Sequence, residues 1–288
     1  MGQRYDTVSF LTDYGTRDEF VGLVKAVIRD LAPHVAVIDI THEIAPFDVR
    51  AGSLTLARSI QYLPRGIVLA VVDPGVGTDR KAVAIEVAGG AGIVIGPDNG
   101  LLAPGVAMAG GAERAVVLDR TEFHLEAPGS TFAGRDVFAS VAAHLCSGAD
   151  LTDVGTPIDP ELLLPGVVPV AREEAGGLAC EVTWVDRYGN CQLNVGPDDV
   201  AAWGRRLRVS IDGLARSAPI VDNFAEAAGG LALVIDSYGM LALCVDRQSA
   251  ALELGIGEGA AVHLGPLSGD EPTPGTTTPV ELRPTRLA

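Results

Sequence analysis

The feature that most constrains the fold of this chain is an alternation, over residues 8–150, of short β-branched runs with segments of helical periodicity. This alternation is typical of a mostly parallel β-sheet covered by helices, because a parallel strand can follow another only after a crossover. The run at residues 67–72 is continuously apolar, which predicts a strand buried on both faces. We therefore predict an α/β domain whose strands include residues 8–11, 35–40, 67–72, 83–87 and 93–95.

Helices are predicted between these runs. From Asp18 to Leu31 the apolar residues recur at steps of three and four, so this segment predicts an amphipathic helix that Asp18 opens. Asp48 is placed to cap a second helix that continues through Tyr62. The last helix of this half is expected at about residues 135–145.

The second half of the chain follows a different pattern. Over residues 178–265 apolar side chains alternate with period two between Gly-rich breaks, which predicts a mainly β domain. Residues 158–177 are Pro-rich without a clear period. We accordingly place an N-terminal domain at 1–165, a linker at 166–177, a smaller C-terminal domain at 178–265 and a loosely ordered tail at 266–288.

Composition excludes several classes of protein. The 21 basic and 37 acidic residues give a net charge of −16, which disfavours a surface that binds nucleic acid. The four cysteines are scattered and form no CxxC pair, which favours a reducing compartment. No secretion signal or membrane-length apolar run is visible. We expect a soluble cytoplasmic protein that binds neither nucleic acid nor membrane.

Polar residues follow several of the predicted strands. Asp13 comes after the first strand, Asp73 after the third, and Asp98 with Asn99 after the fifth. Ligands of open α/β sheets bind beyond the carboxyl ends of the strands, so these side chains are expected to share one edge. Such an acidic edge suits a cationic or hydroxyl-rich ligand and repels phosphate. Any one of these residues could instead be a helix cap or turn residue.

Common cofactor and catalytic motifs are not found. The segment at 75–80 lacks the third glycine of a dinucleotide fingerprint, because Arg80 stands there. The five histidines show no metal-ligand spacing, and no GxSxG elbow is present. The sequence therefore predicts no metal and no nicotinamide cofactor.

Two segments of the second half carry polar and aromatic residues. Asp186, Tyr188 and Asn190 are spaced by two, so on a strand they would share one face, where a purine could stack on the ring and bond to the amide. The same segment is equally consistent with a β-turn. Residues 236–239 predict a hairpin turn or, alternatively, a clamp for a polar ligand.

Several near-complete motifs occur in one order along the chain. They are LTDYG at 11–15, VDPGVG at 72–77, PDNGLL at 97–102, STF at 130–132, GRD at 134–136 and DRYGN at 186–190. Over about residues 7–262 the chain thereby resembles the S-adenosyl-L-methionine (SAM) hydroxide adenosyltransferases, which are relatives of the fluorinases and chlorinases.

This resemblance implies a Rossmann-like N-terminal domain, a C-terminal β-barrel and a homotrimer whose sites lie between one subunit's first domain and a neighbour's second. It also implies attack of water or hydroxide on ribose C5′ of SAM, which leaves adenosine and L-methionine. SAM is then the substrate, and no cofactor is implied.

The resemblance also implies a role for each site residue. Asp73 and Arg80 match two members of a water-centring Asp-Arg-His triad, and Asp73 stands where halogen-using relatives have Tyr. Asp13 would hold the ribose hydroxyls, and Asp18 would lie near the methionine end. The remaining implied contacts are Phe47 and Phe132 along the sugar and adenine, Tyr188 and Phe224 around the adenine, Asn190 on its edge, and Asp186 with Ser237 on the methionine group.

Two positions depart from the family pattern. Ala133 stands where the triad histidine belongs, so reduced turnover with retained binding is expected. Replacement by His124 would require its loop to fold back. Tyr238 stands where the fluorinase has an arginine for the methionine carboxylate. The alternatives to a SAM hydrolase are a non-catalytic SAM- or adenosine-binding protein and a halide-dependent SAM transferase.

Overall fold

The computed structural model describes residues 5–267, and the chain divides between Pro169 and Val170 into two compact units. The predicted tail at 266–288 lies, apart from its first two residues, outside the described residues. The division falls within the segment predicted as a linker. That segment also contains a short strand, Arg172–Glu174, which pairs with the strand after it and so belongs to the second unit.

The first unit consists of strands, helices and short helical turns in mixed order. In chain order its regular elements are β1 (Thr7–Thr12), α1 (Phe20–Leu31), β2 (Ala36–Thr41), α2 (Val49–Ser59), β3 (Gly66–Val71), β4 (Ala82–Val87), β5 (Gly92–Pro97), α3 (Ala103–Met108), β6 (Arg114–Val117), α4 (Ser140–Cys146) and β7 (Thr156–Ile158). A π-helical segment, Gly134–Ala139, leads directly into α4, so the helix predicted at 135–145 is confirmed with an irregular first half.

The strands of the first unit form one sheet in the order β2-β1-β3-β5-β4-β6-β7. The pairs among β2, β1, β3 and β5 are parallel, whereas β4, β6 and β7 pair antiparallel with their neighbours. The prediction of a mostly parallel sheet is therefore confirmed for the three strand pairs from β2 to β5 and wrong for the three pairs from β5 to β7. The cause is the turn at Ala88–Gly90, where positive φ angles at Ala88 and Gly89 return the chain at once, without a crossover.

Burial follows the predicted pattern on β3, whose residues are all buried, as its continuous apolar run indicated. Helix α1 buries Val21, Val24 and Ile28 but begins at Phe20 after an N-cap at Glu19, so the prediction that Asp18 opens it was wrong. The cap at Asp48 is confirmed, because its carboxylate accepts a 2.8 Å hydrogen bond from the amide of Ala51.

The second unit is built from strands and one short helix. Its elements are β8 (Arg172–Glu174), β9 (Gly177–Val185), β10 (Cys191–Leu193), β11 (Arg206–Ile211), β12 (Leu214–Val221), β13 (Ala232–Ile235), β14 (Leu241–Cys244), α5 (Ala250–Leu254) and β15 (Ala261–Pro266). The order β10-β14-β13-β12-β11-β15-β9 closes because β10 also pairs with β9. The expected C-terminal β-barrel is confirmed, and its interior is filled by apolar side chains such as Val182, Leu207, Leu233, Leu243 and Leu264.

Two further observations bear on the class of protein. Within residues 5–267, no helix combines the length and apolarity that a membrane crossing requires. The four cysteines are buried and unpaired, and burial raises the pKa of the Cys191 thiol to about 11.

Candidate active site

The strand register places the first two predicted carboxylates at one edge of the sheet. Thr12 of β1 lies beside Val71 of the parallel strand β3, so the residues that follow both strands leave the sheet together. Asp13 accepts a 2.8 Å hydrogen bond from the amide of Phe47 through Oδ2. Phe47 has a φ of 69° and is 71% exposed, so a non-glycine residue is held in the left-handed region with its ring in solvent.

Asp73 and Arg80 form a largely buried ion pair at this edge. Arg80 donates from Nε to Asp73 Oδ1 at 3.0 Å and from its terminal nitrogen to Oδ2, the two-bond geometry of a guanidinium on a carboxylate. The guanidinium also stacks over the ring of Phe138 at 5.6 Å. Between the two residues, Thr78 donates to the carbonyl of Gly75 at 2.7 Å and fixes the turn.

The environment of Asp73 adjusts its acidity. Burial raises the pKa of this carboxyl above its usual value, and the neighbouring charge and hydrogen bonds of Arg80 oppose that effect. Arg80 therefore holds the Asp73 carboxylate in a fixed orientation in which it can accept a proton, and the two charges balance each other.

Phe132 lies in a cluster of aromatic rings beside this edge. Its ring centroid is 5.0 Å from that of Phe20 and 5.9 Å from that of Tyr14, and Arg135 packs over it at 5.0 Å. Ala133 comes next and precedes the π-helical segment. Its partly buried methyl group packs on the core and provides no hydrogen-bonding group.

His124 lies on a segment that folds back onto this helix, because Leu125 donates its amide to the carbonyl of Asp136 at 2.8 Å. Its Nε2 is buried without a hydrogen-bond partner in the structure, and burial lowers the pKa of the imidazole. The side chains of Asp73 and Arg80 hydrogen-bond each other rather than His124.

Asp98 and Asn99 directly follow β5, which runs parallel beside β3, so they lie at this edge as predicted, where both have structural partners. Asp98 accepts a 2.8 Å hydrogen bond from the amide of Leu164, and Asn99 bonds the backbone of Val72 and Leu101, so both hold loops. Asp18, which the resemblance places near the methionine end, is exposed on the segment before α1.

The second unit places its predicted ligand residues around two cavities. Tyr188, Asn190 and Phe224 line both a cavity of about 470 Å³ and another of about 390 Å³. The rings of Tyr188 and Phe224 are 78% and 47% exposed, so both offer apolar faces for stacking. Asp186 and Ser237 line the smaller cavity.

The segment at 186–190 is a turn between β9 and β10, so of the two predicted alternatives the β-turn is confirmed. Asp186 accepts 2.9 Å hydrogen bonds from the amides of Tyr188 and Asn190, and its Oδ2 accepts from the Asn190 side chain at 2.7 Å. An aspartate that bonds the backbone after it favours a turn over an extended strand. The turn nevertheless places the side chains of Tyr188 and Asn190 at the two cavities.

The hairpin predicted at 236–239 is confirmed. Asp236 accepts from the amides of Tyr238 and Met240 at 2.9 and 3.0 Å between β13 and β14. Tyr238 packs edge-on against Trp184 at 5.9 Å, while Ser237 is exposed at the cavity.

Sequence reasoning missed Trp184 and Gln192, which also line the smaller cavity. Gln192 donates to Asp236 at 2.6 Å and is buried in an otherwise apolar strand. The sequence did carry a signal for both residues. Trp184 lies two residues before Asp186, and Gln192 lies two residues after Asn190. A spacing of two places side chains on the same face of a strand, here on the two strands that the turn joins.

No group of three or more potential metal ligands is found in the part of the chain that the structure describes. The two units thus define a protein of the α/β-plus-β-barrel class, with a carboxylate–guanidinium pair on the sheet edge and an aromatic-lined polar cavity on the barrel. Residues 8–155 match the SAM hydroxide adenosyltransferase N-terminal domain and residues 180–263 match the C-terminal domain. The chain belongs to the SAM hydroxide adenosyltransferase family.

Individual relatives agree with this family. The chain is 43% identical to the (R)-S-adenosyl-L-methionine hydrolase of Salinispora tropica over 89% of this chain and 97% of that protein. It is 39% identical to the protein of that name from Thermus thermophilus, over 89% and 98%, and 28% identical to the fluorinase of an Actinoplanes species, over 89% and 96%. An uncharacterized conserved protein of Thermotoga maritima has a similar structure, with a TM-score of 0.83, 32% identity and coverage of 90% and 99%.

Proposed function

We propose that this protein hydrolyses SAM to adenosine and L-methionine by attack of water or hydroxide on ribose C5′. The observation that carries the proposal is the buried Asp73–Arg80 pair, which orients a carboxylate beside Asp13 at the ligand-binding edge of the sheet. The names of the relatives at 39–43% identity support the same reaction.

The chemistry requires little beyond positioning. The C5′–S bond breaks with its electron pair moving to sulfur, so the cationic sulfonium leaves as a neutral thioether that needs no proton. The new bond forms between the water oxygen and C5′, and the water proton passes to Asp73. Holding the oxygen in line with the breaking bond is therefore the main task of the site. Because SAM is the substrate and supplies its own leaving group, the proposal includes no cofactor and no metal.

The first unit would bind the ribose. Asp13 uses one oxygen for the amide of Phe47, so its other oxygen is available for the ribose hydroxyls. The exposed ring of Phe47 and the ring of Phe132 would line the sugar and adenine. Asp18 remains a proposed contact near the methionine end.

The second unit would bind the adenine and the amino acid. Tyr188 and Phe224 offer the stacking faces, and Asn190, whose amide nitrogen donates to Asp186, keeps its carbonyl oxygen for the adenine amino group. The negative charge of Asp186 would attract the methionine ammonium. Ser237 would donate to the methionine carboxylate, since Tyr238 provides no positive charge.

The active assembly is proposed to be a homotrimer, in which the first unit of one subunit meets the second unit of its neighbour. Family resemblance supports this arrangement. Native mass spectrometry would show three copies of the 29.7 kDa chain, and a monomer at enzymatically active concentrations would contradict it. A cytoplasmic location is proposed from the four unpaired cysteines.

Turnover is proposed to be reduced, because Ala133 provides no imidazole to orient the nucleophile. The test is adenosine release from SAM, followed by chromatography, for the parent and for Ala133→His. Recovery of about 10²- to 10⁴-fold would support a weakened hydrolase. SAM binding without release in either protein would support the non-catalytic alternative, which Ala133 favours. A chlorinated nucleoside formed only with chloride would support the halide-dependent transferase.

A further inference from the structure

Tyr14 lies close to the Asp73–Arg80 pair, and the family resemblance assigns it no role. Thr12 and Val71 are neighbours in the sheet, and Tyr14 and Asp73 each lie two residues beyond them. The Tyr14 amide is fixed by the hydroxyl of Thr12 at 3.2 Å. Its ring is fixed by those of Phe20 and Phe132, at 5.7 and 5.9 Å.

The hydroxyl of Tyr14 is directed toward the segment that contains Ala133. It packs so closely on the backbone of Gly134 that a Cβ added to that glycine would collide with it. A glycine at 134 is therefore required for the phenol to reach this point. The phenol oxygen therefore packs against Gly134, the residue that follows Ala133, and Ala133 stands where the family pattern has a histidine.

The same hydroxyl is chemically available. Among the described residues, none hydrogen-bonds to the Tyr14 hydroxyl. Its oxygen is also not one of the fully buried polar atoms, so a water or ligand can reach it. Burial, together with the charges of Asp13 and Asp73, raises the pKa of Tyr14, and Arg80 opposes them. The phenol consequently stays neutral at working pH and can bond to a ligand or water oxygen.

We infer that the Tyr14 hydroxyl hydrogen-bonds to the nucleophilic oxygen beside Asp73 and helps to orient it in a chain whose position 133 has no imidazole. This inference rests on the proposed function. Asp73 accepts a proton of the water, Tyr14 holds its oxygen, and the remaining lone pair is directed at C5′. After reaction that oxygen is the 5′-hydroxyl of adenosine, so Tyr14 contacts the product at the same atom.

The first measurement is steady-state adenosine release for Tyr14→Phe, which removes one oxygen and retains the aromatic packing. We expect kcat to fall about 5- to 10-fold, the value of one hydrogen bond, with KM changed less than about twofold. In the Ala133→His background the loss is expected to be smaller, because the imidazole supplies a second orienting group. The exposed Tyr62, changed to Phe, is the matched control and should alter neither constant.

The second measurement needs no turnover. Calorimetry of adenosine and 5′-deoxyadenosine should show the parent preferring adenosine several-fold, with that preference reduced in Tyr14→Phe to the part that Asp73 provides. An unchanged preference together with an unchanged kcat would overturn the role of Tyr14 and leave the proposed function intact. Absence of binding by either nucleoside, together with absence of adenosine release from every variant, would overturn both. Equal thermal midpoints for parent and Tyr14→Phe exclude misfolding as the cause.

Discussion

Replacing Asp73 by Asn tests the central pair most directly. The change keeps the size of the side chain, removes its charge and leaves a group that cannot accept the water proton. Loss of a positioned base typically lowers rates by about 10²- to 10⁴-fold. This corresponds to about 3–5.5 kcal/mol of transition-state stabilisation.

The same substitution should have a smaller effect on the free energy of unfolding. The Asp73 and Arg80 side chains are 5% and 11% exposed, so breaking the pair disturbs a buried contact. The Asn oxygen can still accept from Arg80 Nε, so about one charge-assisted hydrogen bond is lost, and release of the buried carboxylate charge partly offsets it. We expect about 1–2 kcal/mol of destabilisation, or a decrease of about 2–8 °C in melting temperature.

The assay is single-turnover adenosine release in the parent and in the Ala133→His background, with calorimetric unfolding alongside. Asp79→Asn is the matched control, because this exposed carboxylate lies on the same turn and lacks the ion pair. An Asp73→Asn rate within twofold of its parent would remove Asp73 from the mechanism. An equal rate loss in Asp79→Asn would show that the charge of the turn, rather than the position of one carboxylate, is responsible.

Three other outcomes are expected. Arg80→Gln removes the charge that lowers the pKa of Asp73, which burial already holds above the ordinary value of 3.8. Since this carboxyl must be ionised to act, the acid limb of the pH profile of kcat should move to higher pH. An unmoved limb would contradict this role of Asp73. Tyr188→Ala should weaken adenosine binding by about 5- to 100-fold in calorimetry through lost stacking, whereas equal affinity would place the adenine elsewhere. Chelation with EDTA should leave adenosine release within about twofold of the untreated rate, and restoration of a lost rate by added metal would show a metal requirement.

The sequence predicted those parts of the fold that depend on local pattern. The apolar run of β3 and the period-two strands of the barrel were recognisable because burial determines which residues can stand there. The direction of β4 was missed because it depends on the connection after it. The glycines at 89 and 90 carried that signal, since they permit the positive φ angles of a tight turn.

The site was predictable to a similar extent. Asp13 and Asp73 could be placed together because parallel strands end at one edge. The structural role of Asp98 could not be chosen over a ligand role, because its partner, the amide of Leu164, is remote in sequence. Tyr14 was overlooked as a polar group because an aromatic residue near a strand is typical of a core. Only packing against Gly134 shows where its hydroxyl lies.

The position of Ala133 also determines which kinetic constant should respond when the imidazole is restored. The ribose contacts proposed for Asp13 and the adenine contacts proposed for Tyr188 lie on other elements, and neither depends on the side chain at 133. A group that orients only the nucleophile stabilises the transition state more than bound SAM. Ala133→His should therefore raise kcat and kcat/KM by similar factors and leave KM almost unchanged. A variant that lowers KM at constant kcat would instead show that the histidine binds SAM, and the role assigned to this position would be wrong.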